Sequence, residues 1–380
     1  MTATFDFQEP NRPEQRIGDR YERTEALEML GRLPLGELMG MAHRARRQRW
    51  PQPVVTFVVD TNPNYTNICV TRCAFCAFCR EPGDPEAYTL EPDVLVERVE
   101  KAYARGATTV LLQGGHNPAI RLSDWLTYIR AIRSACPAIH IHPFSPAEYV
   151  FMARTEKMPV EEVLQDVYAE GVRTLPGGGA EILTERVRQK VAHAKATTEQ
   201  WLAVCEKAHR IGFRTTATMM YGHVEADEDI VEHLMQLRAL QDRTGGFSAF
   251  IPWSFKPGGS PLSRRVPVQA HPARYVRIIA LARLVLDNFP HIQSSWFSES
   301  IPAGQLGLLA GADDFGGVLL EENVLRTTGH DRATTLESVK TIIRRAGFTP
   351  AQRNSFYEII DGSNKPSAPS ATRIGGTEER

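Results

Sequence analysis

Four of the six cysteines fall between residues 69 and 79, in the stretch NYTNICVTRCAFCAFCREPGDPEAY. In a reducing compartment so dense a cluster reads as a metal site and not as a disulfide framework. The spacing Cys69-x3-Cys73-x2-Cys76 puts three soft thiolates on one turn-rich loop. That is enough to hold three irons of a cubane and leave the fourth iron without a protein ligand, open for chemistry. Two other readings stand beside this one. Zinc takes four ligands in a closed tetrahedron, usually from two separated pairs, and here there is one dense cluster. A closed electron-transfer cluster would recruit Cys79 as a fourth thiolate, but such runs are spaced differently and sit in small proteins. Cys136 and Cys205 lie alone in helix-like surroundings and read as small apolar fillers.

Other residues of the right type lie at predicted strand ends. Gly114-Gly115 closes the second strand, where two residues without Cβ let a ligand approach the backbone. Ser145 and Glu148 follow the third strand, and Glu181 and Arg186 the fourth. A carboxylate can accept two ribose hydroxyls and a guanidinium can grip a carboxylate in a bidentate fork, while helix capping and surface ion pairing are the plainer roles. His116, His142, His223 and Glu225 sit at or just past strand ends. Imidazole titrates near neutrality, although a lone histidine is more often a satisfied polar residue. Asp313, Asp314, Glu321 and Glu322 offer alternative bases near the eighth strand, or an ordinary solvated turn. Trp253, Phe255 and Trp296 can wall a flat substrate and exclude water, or fill a core. Met219-Met220 reads as core.

Positioning these residues takes a scaffold. Strand-like runs are predicted at Val54 to Asp60, Thr108 to Gln113, Ala138 to His142, Val172 to Leu175, Phe213 to Met219, Ala249 to Phe255, His291 to Trp296 and Asp314 to Leu319. Helical spacing falls between them, several helices stopping on Gly, as at Gly106, Gly171 and Gly212. Eight such alternations predict a closed (βα)8 TIM-type barrel over residues 51–330. Residues 1–50 form an N-terminal extension whose 22–48 stretch reads as two amphipathic helices. Residues 331–360 carry a C-terminal helix packed on the barrel, and residues 361–380, rich in Ser, Pro and Gly, read as a disordered tail.

The balance of 44 basic and 45 acidic residues, a net charge of −1, gives no electrostatic reason to expect nucleic acid or anionic membrane. The polar start and the absence of a run of about 18 apolar residues point to a cytoplasmic protein acting on a small molecule.

With Phe75 just before its third cysteine, the motif resembles the signature of radical S-adenosylmethionine (SAM) enzymes. Further stretches narrow the likeness: LLQGGHNP, GGGAEIL followed by Arg186, TATMMYGHVE, QDRTGGFSAFIPWSFKPG, LDNFPHIQSSW, DFGGVLLEENV and RRAGFTPAQR. Over roughly residues 20 to 358 the chain resembles the dehypoxanthine futalosine cyclase family of the futalosine route to menaquinone. Aminofutalosine synthases and deazaflavin (F0) synthase subunits share much of this framework, and Pro252-Trp253 with Ser295-Trp296 favours the cyclases. Four positions depart from the cyclase pattern: Cys79 stands where Tyr is usual, Glu299-Ser300 where Gln-Gly is usual, and Asp313 where Asn is usual.

The resemblance implies a 4Fe-4S cluster on Cys69, Cys73 and Cys76, with SAM on the open iron. It further implies SAM contacts from Phe75, Gly114, Gly115, Ser145, Glu148, Glu181 and Arg186, and a substrate wall from Trp253, Phe255 and Trp296. The substrate would be dehypoxanthine futalosine, its ribose C4' hydrogen taken by a 5'-deoxyadenosyl radical, with ring closure followed by loss of an electron and a proton. His116, His223, Asp314 and Glu322 are the candidates to handle that proton. A flavodoxin or ferredoxin would supply the one-electron reduction.

Overall fold

The computed structural model describes residues 20–324, 326–329 and 334–360. The expected 361–380 tail and the first 19 residues lie outside them. Eight parallel strands follow one another in chain order: β1 (Val54–Asn62), β2 (Thr109–Leu112), β3 (His140–Pro143), β4 (Thr174–Leu175), β5 (Arg214–Tyr221), β6 (Phe247–Ser254), β7 (His291–Ile292) and β8 (Asp314–Glu322). Every expected strand is present. β8, β1, β2 and β3 form one hydrogen-bonded ladder and β4 to β7 another. A Gln293–Asp314 bridge joins β7 to β8. Between β3 and β4 the seam is closed by side chains: His140 Nε2 and His142 Nδ1 lie 2.6 and 2.7 Å from the Thr174 hydroxyl. The result is a βα barrel.

The crossover helices have ordinary sequence causes. Pro92–Ala104 and Pro272–Val285 begin with Pro at their first turn, where a missing N–H costs nothing. Thr198–Ile211 opens on a capping box between Thr197 and Gln200 and stops at Gly212 in the left-handed region. Three helices went unpredicted: Pro146–Glu156, Glu185–Val191 and Ile301–Leu309. The first shows almost no apolar stripe because six of its residues are buried on several faces.

The extension helices Arg23–Gly31 and Leu35–Arg49 pack on the outer helices, the second chiefly on Pro272–Val285. Arg46 carries this extension into the barrel floor, its guanidinium donating to the carbonyls of Ala312 and Val54. At the other end of the chain, helix Leu336–Arg345 is followed by a strand that the sequence did not announce, β9 (Thr349–Gln352). It pairs in parallel with the lower half of β1, Val54 opposite Thr349.

Asp314 fixes this closure. It is fully buried, accepts from Thr56 Oγ1 at 2.6 Å and from the Arg353 guanidinium at 3.0 Å, and so ties β8 to β1 and β9. Removing one member of a buried pair strands the other charge. Asp314→Ala is therefore expected to lower the unfolding free energy by about 3–5 kcal/mol, read as a shift in urea midpoint. A change within about 0.5 kcal/mol, the size of an ordinary surface substitution, contradicts the pairing.

Candidate active site

The cysteine loop leaves the top of β1 and is pinned across the barrel mouth by backbone bonds. Val70 N–H donates to the His116 carbonyl at 3.0 Å, Ala74 N–H to Val191 at 2.8 Å, and Leu262 N–H to Ala74 at 2.7 Å. The glycine pair ending β2 makes this approach possible. A Cβ on Gly115 would overlap the Ile68 carbonyl and lie 3.0 Å from Cys69 Cβ, and one on Gly114 would lie 2.7 Å from the Tyr65 ring. Two Cβ-free residues thus seat the segment that carries the first cysteine.

Cys73 is buried, and Cys69 and Cys76 are partly so. Among the described residues no three His, Cys, Asp or Glu side chains converge on a single ion position. A cubane draws each thiolate to a different iron and has no need of such convergence. One cation stands beside all three thiols. Lys195 pairs with Glu181 at 2.9 Å, lies 5.4 Å from the Phe75 ring centre and acts electrostatically on Cys69, Cys73 and Cys76. Burial opposes its charge, but Glu181 and Cys73 outweigh burial and raise its pKa. Glu181 takes a left-handed backbone (φ 46°), a conformation that costs a non-glycine residue about 1–3 kcal/mol.

Burial pushes Cys73 up to about 12 and raises Cys76, whereas hydrogen bonding from Cys79 brings Cys69 down to about 5. The Cys79 thiol also donates to the Cys69 carbonyl at 3.1 Å. It is thus engaged with Cys69 itself. The donor set, three soft thiols with a cation to favour their ionised forms, suits a cubane with one open corner.

Beneath this loop a cavity of about 340 Å3 runs down the barrel axis from Phe75 and Cys76 to Arg353 and Tyr357. Trp253 and Phe255 line it as expected. Trp296 does not: it is buried behind the wall, stacked on Phe315 at 5.9 Å, and Phe297 takes its place at the cavity. Lys256 also lines the cavity and pairs with Glu299 at 3.3 Å, so one of the departing positions acts at the site. Asp313, another, lies at the barrel floor with Arg283 and His291.

Among the described side chains, the remaining candidates are engaged by partners of their own. Glu148 accepts from Gly114 N–H and Tyr65 OH at 3.1 Å each and from Ser145 N–H and Oγ at 2.7 Å, so it and Ser145 brace the glycine ledge from a helix cap. Arg186 pairs with Asp229 on the outer helices, half exposed, and the cation facing the cluster loop is Lys195. His116 lies 2.6 Å from the Thr71 hydroxyl and stacks on Phe151, and burial pushes it down to about 3, leaving it neutral. His223 donates from Nε2 to the Met220 carbonyl and accepts at Nδ1 from Val224 N–H, with Glu225 capping the same turn. Asp314 is bound to Arg353 at the floor, Glu321 pairs with Arg98, and Glu322 ends β8 opposite Asn62. His142 lines the cavity but is bonded to Thr174 and kept neutral by burial.

Lys195 and Asp60, inside the barrel, were not singled out in the sequence. Lys195 sits in a polar helix-connecting stretch, and Asp60 is one charge at the end of a strand pattern. Their signal is three-dimensional.

Two substitutions test the loop geometry by iron and sulfide content after anaerobic reconstitution. Gly115→Ala, whose Cβ has no room against backbone, is expected to lose most of the cluster. Cys79→Ala is expected to keep about four irons per chain, the count of a cubane that needs no fourth thiolate. Loss of iron in Cys79→Ala would make that residue a ligand.

The model of the radical SAM superfamily matches residues 63–237, and that of the CofH/MqnC C-terminal region residues 244–365. The cyclic dehypoxanthine futalosine synthase of Halalkalibacterium halodurans is 40% identical over 325 residues, 85% of this chain and 87% of that protein. Its namesake in Streptomyces coelicolor is 38% identical over 96% of this chain and 93% of its own length. A 5-amino-6-(D-ribitylamino)uracil--L-tyrosine 4-hydroxyphenyl transferase of Methanopyrus kandleri is 39% identical, covering 87% and 90%. The solved structure of methylornithine synthase aligns with a TM-score of 0.70 over 88% of this chain and 95% of that one, and at 17% identity this speaks for the barrel fold alone. Motif, barrel and relatives agree: the chain belongs to the radical SAM superfamily, in the family of enzymes to which the cyclic dehypoxanthine futalosine synthases belong.

Proposed function

We propose that this protein is a radical SAM cyclase that converts dehypoxanthine futalosine to its cyclic form on the way to menaquinone. The observation that carries the reading is the cavity itself: it opens against Phe75 and Cys76 of the cluster loop and is walled by Trp253, Phe255 and Phe297. The 4Fe-4S cluster and SAM supply, when bound, a carbon radical able to abstract an unactivated hydrogen. Cys69, Cys73 and Cys76 hold the cluster, and Lys195 with Glu181 sets the charge beside it.

The rest of the chemistry falls to the barrel. Gly114 and Gly115, braced by Glu148 and Ser145, offer backbone to SAM beside the cysteine loop. The aromatic wall holds a flat ring and shields it from bulk water. Polar inward residues such as Gln113, Thr216 and Thr218 suit the hydroxyl-rich remainder of a nucleoside-like substrate. Holding the sugar carbon against the ring turns closure into an intramolecular event. We assign residues 51–330 to this barrel and the flanking segments to its support.

A flavodoxin or ferredoxin suits the electron supply, since the cysteine loop lies at the barrel mouth. No described helix is long and apolar enough to cross a membrane, which agrees with a cytoplasmic site of action. The Lys256–Glu299 pair in the cavity wall supports one second reading: a transferase like the Methanopyrus kandleri relative, with a different acceptor beside the same radical source.

Anaerobic reconstitution with SAM, reductant and dehypoxanthine futalosine, followed by mass spectrometry, separates the two. The cyclase reading expects 5'-deoxyadenosine together with a product lighter than substrate by two hydrogens. 5'-deoxyadenosine that forms only when tyrosine and a ribityl uracil are supplied would favour the transferase and overturn the cyclase.

A further inference from the structure

Ring closure leaves a saturated ring carbon that must shed a proton, and of the candidates for that task His116, His223 and Asp314 are each engaged by partners of their own. Asp60 faces the cavity. It lies on the inward face of β1, opposite Thr109 of β2 and Leu319 of β8, and lines the cavity. Among the described residues that line the cavity it is the single carboxylate. It is only 6% exposed, yet its Oδ1 has no hydrogen-bond partner. An unmet buried acceptor costs about 1–3 kcal/mol, which a fold does not carry without a reason.

The surroundings keep this carboxylate available. Gly317 of β8 stands against it, and a Cβ there would overlap Asp60 Oδ1, so glycine leaves the space that the carboxylate occupies. The titratable neighbours are committed elsewhere. From β9 and the floor, Arg353 is bonded to Asp314 and lies over the Tyr357 ring at 3.8 Å. Burial raises the Tyr357 phenol, which stays neutral. From β3, His142 is held by Thr174. Burial moves the Asp60 carboxyl up to about 7, with Arg353 opposing and Asp314 assisting. A base is most useful when it titrates near working pH.

We propose that Asp60 is the catalytic proton acceptor of the cyclisation. Once the sugar carbon has bonded to the aromatic ring, the carboxylate takes the proton from the ring carbon that was attacked. The C–H electron pair returns to the ring and restores aromaticity. The one electron then in excess leaves to a one-electron acceptor of iron–sulfur type. This rests on the cyclase reading above.

The test uses reconstituted full-length protein with SAM, reductant and dehypoxanthine futalosine, and compares wild type with Asp60→Asn and Asp60→Glu. Asp60→Asn is expected to hold wild-type iron and still release 5'-deoxyadenosine. It should form cyclic product roughly a hundredfold to ten-thousandfold more slowly, the usual span of general base catalysis. A substrate-derived radical should accumulate in its paramagnetic resonance spectrum. Wild-type product formation should rise with pH through about 7, as the carboxyl ionises, and Asp60→Asn should lack that limb. Asp60→Glu should recover part of the rate. Should Asp60→Asn not fold, Asp60→Glu carries the test, because its limb must move if this carboxylate is the base.

Cyclisation by Asp60→Asn near the wild-type rate, or an unmoved pH limb, overturns the assignment and leaves the cyclase reading standing. Wild type that releases 5'-deoxyadenosine yet never cyclises overturns both.

Discussion

The contact on which the rest depends is that of the cysteine loop with the end of β2. Ile68 and Cys69 lie so close to Gly115 that no other residue fits there. This contact lays the loop across the mouth of the barrel rather than above it. Cys76 consequently forms part of the cavity roof, and Phe75 brings its ring between the cavity and Lys195. Glu148 supports the ledge from behind by taking the Gly114 N–H, so a residue that looked like a ligand to a ribose works one step back, on the backbone of the glycine pair.

Charge follows from that placement. A cysteine loop turned inward is desolvated, and burial alone would keep its thiols protonated, as it does for Cys73. The Lys195–Glu181 pair places a cation within reach of all three sulfurs without leaving a buried charge unpaired. Below, the barrel departs from the usual filling of its interior with branched apolar side chains. Asp60, Asn62, Thr109, Gln113, Thr216 and Thr218 point inward among Val58, Leu111, Ile251 and Leu319, and set polar groups into a largely apolar cavity. The floor is then sealed by charge pairs of its own, Asp314 with Arg353 and Asp313 with Arg283, which the C-terminal strand and the N-terminal helices complete.

Much of this was legible in the sequence for identifiable reasons. All eight strands announced themselves through β-branched or aromatic runs, and the cysteine spacing pointed to a cluster on three thiolates. β9 escaped because a Thr-Pro-Ala-Gln tetrapeptide has no strand pattern; its pairing with β1 alone creates it. The helix at Pro146–Glu156 escaped because burial on several faces erases a stripe. Among site residues, Trp253 and Phe255 sat where alternation placed them, but Trp296 faced away because β7 is two residues long and the chain turns before reaching it. Arg186 and His223 had the right chemistry at the right strand ends, and their partners Asp229 and the Met220 carbonyl are visible only in the fold. Lys195 and Asp60 show the converse: ordinary letters in sequence, made singular by what surrounds them.

The central claim is that three cysteines hold a cluster whose fourth iron is left for SAM. Low-temperature electron paramagnetic resonance of the reduced, reconstituted protein tests it most directly, with and without saturating SAM. The account predicts a cluster signal whose g-values shift when SAM is added, because the amine and carboxylate of SAM enter the coordination of the open iron. A spectrum unchanged by SAM would show a closed cluster, and would contradict the reading of the cysteine loop on which the proposed chemistry stands.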